Sequence, residues 1–85
     1  MSQIIKPTGI RELSHVVKAN NGQYYFVDSN DTLDKGYETM IFECDKHGKN
    51  IDWSGVFVEH YSTYEAMKEN HNYIINHLEE VLGNG

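Results

Sequence analysis

From Tyr37 to Cys44 the side chains fall into two alternating sets, Tyr37, Thr39, Ile41 and Glu43 against Glu38, Met40, Phe42 and Cys44, the period of two that marks a strand. Asp45 to Lys49 is turn chemistry, with Gly48 free to take a positive φ. Asp52-Trp53-Ser54-Gly55 interrupts the alternation as a bulge does, and Val56 to Tyr61 resumes it. That second arm divides into Val56, Val58 and His60 against Phe57, Glu59 and Tyr61. The two arms predict a central β-hairpin. Keeping the glutamates in solvent assigns Met40, Phe42, Cys44, Val56 and Val58 to the core and turns Tyr37, Thr39, Ile41, Phe57 and Tyr61 outward.

Beyond the hairpin the period changes to that of a helix. Ser62 is the expected N-cap and Glu65, three residues on, completes a capping box. A helix over Thr63 to Leu82, closed by Gly83, puts Tyr64, Met67, His71, Ile74, Ile75, Leu78, Val81 and Leu82 in one stripe. That stripe must cover one face of the sheet. Before the central hairpin, Leu13 to Val17 and Gln23 to Val27 read as strands joined at Asn20-Asn21-Gly22, with Asn-Gly predicting a type I′ turn. Residues 1–9 read as an arm, and Asp28 to Gly36, rich in Asp, Asn and Ser, reads as a loop. Its acidic spacing fails as a calcium loop, because Leu33 stands at the sixth position, where Gly is needed, and Thr39 at the twelfth, where Glu is needed.

The fold expected is therefore α+β: a small antiparallel sheet of two hairpins with a C-terminal helix on one face. It forms one domain over 1–85, with an arm at 1–9, sheet at 10–61 and helix at 62–83.

Composition narrows function chiefly by exclusion. Seven basic against thirteen acidic residues give a net charge of −6, the wrong sign for gripping phosphates, so direct nucleic-acid binding is not expected. A single cysteine, Cys44, allows no internal disulfide, and no apolar run resembles a leader or a membrane span. Cytoplasmic localisation follows as the expectation, and the Asn30-Asp31-Thr32 sequon is idle there. Among possible ligands, His71 and His77 lie about 120° apart around a helix and cannot share a metal. Cys44, His60 and His71 converge on the sheet–helix interface if the facing above holds. They form the one candidate metal or thiol site, lacking a fourth ligand and any oxyanion loop. The blander expectation is a buried, neutral His71 bonded to a carbonyl, and Cys44 as a small core hydrophobe. Trp53 reads either as a binding anchor or as a lid on the open end of the core, the lid being the commoner role.

The segments YETMIF (Tyr37 to Phe42), Asp52-Trp53, HYST (His60 to Thr63), Glu65-Ala66 and Asn70-His71 resemble, in order and spacing, a group of small uncharacterised bacteriophage proteins. Their shared pattern runs Tyr/Trp-Glu-Thr-Met-Val-Phe, Asp-Trp, Arg-Tyr-x-Thr/Ser, Glu-Ala and Gly-His. Here His60 stands for the basic residue and Asn70 for the glycine. The resemblance implies phage or prophage origin and carries no activity. With no catalytic signature and no cofactor implied, the function expected is a non-enzymatic interaction module, an inhibitor or modulator that binds a host or phage protein. Tyr37, Ile41, Phe57, Glu59, Tyr61 and Trp53 are the expected contact residues. A homodimer through the same face, a metal- or thiol-dependent enzyme or sensor using Cys44, His60 and His71, and a structural subunit of a phage particle are the alternatives.

Overall fold

A computed structural model describes residues 12–32 and 36–83, so the expected arm at 1–9 lies outside the described residues. Four strands, β1 (Glu12–Lys18), β2 (Tyr24–Thr32), β3 (Gly36–Cys44) and β4 (Phe57–Tyr61), pair antiparallel in chain order. Helix α1 (Tyr64–Asn76) crosses all four, and a short α2 (Leu78–Leu82) continues it. The expected α+β architecture is the one observed.

Each junction follows from local chemistry, with some departures from expectation. Between β1 and β2 the Gly22 N–H bonds the Ala19 carbonyl and the Ala19 N–H bonds Gln23. Asn20 and Asn21 therefore hold the central positions, neither with positive φ, and Gly22 follows at φ +92°. This is the three-residue hairpin loop with a left-handed glycine rather than the type I′ turn that Asn-Gly suggested. Asp28 to Thr32, expected as loop, extends β2 to pair as far as Thr32 with Gly36. Side-chain bonding that usually favours loops is here directed across the sheet, from Ser29 to Thr39 and from Thr32 to the Gly36 carbonyl.

The N-cap is Thr63, one residue later than expected, its hydroxyl accepting from the Ala66 N–H at 3.1 Å. The helix also breaks at His77, whose backbone leaves helical geometry (φ −139°, ψ 41°) while its ring stacks on Tyr73 and bonds the Tyr73 carbonyl. Gly83, at φ 73°, closes α2 as expected.

The register decides which face is core. Val27, Ile41 and Phe57 lie side by side on β2, β3 and β4, as do Ser29, Thr39 and Glu59 in the next row on the same face. Met67, His71, Ile74 and Leu78 descend on this face, and they, Val27 and Ile41 are buried. Each large apolar side chain so buried contributes about 1.5–3 kcal/mol.

The expected facing relative to the helix is thus exchanged: Tyr37, Thr39, Ile41, Phe57 and Tyr61 lie under the helix side, and Met40, Phe42, Cys44 and Val58 point the other way, although Phe42 and Cys44 are buried there as expected while Val56 and Val58 are exposed. Glutamates could not decide the matter, because both faces carry them. Glu43 and Glu59 lie at the margins of the helix face and Glu38 on the opposite one.

Candidate functional site

The outer face of the sheet presents Val16 from β1, Phe26 from β2, Met40, Phe42 and Cys44 from β3, and Val58 from β4. Among the described residues no helix covers it. What crosses it is the connection 45–56. Asp45 organises the first half of that connection by accepting from the His47 and Lys49 N–H groups, both at 2.8 Å, and from the Asn50 amide. The Lys49 bond first, then those from His47 and Asn50, hold its carboxyl below the usual range. Gly48 brings this turn so close to the sheet that a Cβ there would lie 2.8 Å from Val16. Further on, Asp52 accepts from both the N–H and the hydroxyl of Ser54 and fixes the turn bearing Trp53.

Trp53 meets Phe42 edge-on, centroids 5.0 Å apart, and Phe42 stacks on Phe26. The indole is nonetheless 67% exposed, and Val58, paired with Met40 on the same face, and Val56 just before β4 are 52% and 47% exposed. An exposed tryptophan seated on a buried aromatic, with exposed valines on the same chain segment, has the composition of an interface centre. Trp53 is not the lid of the helix-covered core.

Beneath the helix runs a buried polar row. Thr39 Oγ1 lies 2.6 Å from Ser29 Oγ, Ser29 Oγ 2.7 Å from His71 Nδ1, and His71 Nε2 2.9 Å from His15 Nδ1. Ser29, Thr39 and His71 are fully buried. Burial first, then the facing His15, lowers the His71 pKa to about 4, so the ring is neutral at pH 7. Both its nitrogens are engaged by side chains rather than by the carbonyl that sequence reasoning suggested. Serine, histidine and a second histidine are the residue types of a nucleophile, base and orienting group. Ser29 is sealed from any substrate, however, so the row serves to satisfy the polar groups of the core.

The other expected constellation is dispersed. Cys44 and His60 lie on the outer face and His71 on the inner one, with the sheet between them, which removes the convergence on which the metal or thiol site depended. His60 bonds Glu38 at 3.0 Å instead. Burial, reinforced by Asp45, pushes the Cys44 thiol up and disfavours the thiolate. Among the described residues no group of three or more His, Cys, Asp or Glu could hold a metal ion.

Of the expected contact residues, Ile41 is core, Phe57 packs against the core, and Tyr37 meets Tyr64 edge-on below the helix start. Only Trp53 stands on the open face.

Glu59 and Tyr61 instead border a cleft at the rim of the helix side. Its volume is about 370 Å³, lined by Tyr61 of β4 and by Ala66, Glu69, Asn70 and Tyr73 of α1. Those four helix positions follow the spacing i, i+3, i+4, i+7, a stripe beside the buried one. Asn70 donates to the Tyr61 hydroxyl and, at 3.4 Å, to Glu59. Burial raises the Tyr61 pKa against the opposing hydrogen bonds of Thr39 and Asn70. Sequence reasoning missed Ser29, which lay in an assumed loop, His15 and Asn70. For His15 a signal existed, since it shares the strand period of Leu13 and Val17.

No protein-family model, no curated protein and no solved structure matches this chain. No helix among the described residues is long and apolar enough to cross a membrane.

Proposed function

We propose that the chain is a non-enzymatic, phage-type interaction module that binds and modulates a host protein through its outer sheet face. The observation that carries this is Trp53, 67% exposed and propped on Phe42, together with the exposed Val56 and Val58. Tryptophan anchors of this kind dominate binding energy when they enter a partner's pocket. The net charge of −6 favours a basic partner over a second acidic copy. The burial of Ser29, the dispersal of Cys44, His60 and His71, and the disfavoured Cys44 thiolate weigh against the metal- or thiol-dependent alternative.

The test is capture from a bacterial host lysate with wild type, Trp53→Ala and Val58→Asp, followed by titration of the purified partner. Trp53→Ala is expected to weaken binding about 30-fold or more, as loss of roughly 2 kcal/mol at a hot spot does. Equal capture by all three proteins would refute the assignment. Sedimentation as a dimer that Val58→Asp splits would assign the face to a second copy instead.

A further inference from the structure

We propose that the cleft between Tyr61 and Tyr73 receives an arginine side chain of the protein partner, a reading that rests on the partner-binding function above. The polar groups around the cleft are matched to a donor. Glu69 contributes a carboxylate with no hydrogen-bond partner among the described residues, and Glu59 lies just beyond. Asn70 uses its amino group on Tyr61 and Glu59, so its carbonyl oxygen faces no donor among the described residues. Among the described residues no lysine, arginine or histidine lines the space. The cleft therefore offers acceptors and negative charge, and its natural complement is a cation rich in N–H groups.

The walls select among cations. Tyr61 and Tyr73 supply aromatic surface, and both rings are held in place before any ligand arrives. Tyr61 is fixed by Asn70. Tyr73 lies parallel to His77, centroids 4.2 Å apart and planes 15° off parallel, with Glu80 raising its pKa, yet is 43% exposed. Ala66 keeps the floor low. A planar guanidinium can lie on such a ring while its fork of five donors reaches Glu69 and the Asn70 carbonyl; an ammonium, compact and strongly hydrated, matches only the charge.

Placement links the cleft to the outer face. Strand β4 is a sheet edge among the described residues, with Val58 on the outer side and Tyr61 on the helix side. A partner lying along that edge reaches Val58 and Trp53 with an apolar surface and the cleft with one side chain.

The experiment titrates the ¹⁵N-labelled full chain with acetyl-arginine amide, acetyl-lysine amide and the neutral isostere acetyl-citrulline amide, following Tyr61, Tyr73 and the Asn70 side-chain amide by NMR. Arginine is expected to give saturable shifts at these residues, with citrulline at least about tenfold weaker and lysine intermediate. Glu69→Gln should weaken arginine about fivefold or more by removing the charge while keeping the shape. Trp53→Ala should leave the titration unchanged. Shifts that do not saturate, citrulline or lysine equal to arginine, or indifference to Glu69→Gln would overturn the assignment. Because the titration needs no partner and does not involve Trp53, its failure is separable from failure of the outer-face reading, which lysate capture tests alone.

Discussion

His71 is the residue whose chemistry is most constrained by its surroundings. Its folded pKa of about 4 lies below the unfolded value near 6.5, so between those pH values the unfolded chain holds a proton that the native ring refuses. Stability from this group is complete above pH 6.5 and is lost as pH falls toward 4, by roughly 3 kcal/mol in total. Chemical denaturation from pH 7 to 4 should show that loss, and His71→Phe should flatten it; an unchanged slope would mean that another group titrates there. Ser29→Ala, which strips His71 Nδ1 and Thr39 of their shared partner, should cost about 1–3 kcal/mol in the same assay. Gly48→Ala forces a side chain into positive φ and against Val16, and should cost about 1–3 kcal/mol in the same assay.

At the scale of elements, the helix was legible because its burial has one solution. Met67, His71, Ile74 and Leu78 are spaced for a single stripe, and all four are buried. The hairpins were legible for a similar reason, through the alternation of β3 and β4. What alternation does not contain is the identity of the inner face. Both sets carry aromatic, aliphatic and acidic residues, and an error of face exchanges every assignment at once. The break at His77 and the cap at Thr63 depend on side-chain bonds to Tyr73 and Ala66 that no sequence period specifies. Asp28 to Thr32 became strand because partners across the sheet, Thr39 and Gly36, answer groups that would otherwise bond locally. Thr63→Ala should therefore lower stability by about 1 kcal/mol in thermal melts, whereas Ser62→Ala should leave it within about 0.5 kcal/mol.

For the whole molecule, the central claim is that the helix side of the sheet holds the main core and that the exposed part of the outer face, marked by Trp53, Val56 and Val58, is for binding. The same charge change placed on each face separates the two roles. Ile41→Asp buries a carboxylate beneath α1 and should unfold the chain. Val58→Asp, one strand away on the opposite face, should melt within about 0.5 kcal/mol of wild type. The most direct measurement is circular-dichroism melting of these two variants, paired with titration of the captured partner against Val58→Asp. The account predicts an unfolded Ile41→Asp, and a folded Val58→Asp that no longer binds. A folded Ile41→Asp, or a Val58→Asp that unfolds or binds as wild type does, would contradict it.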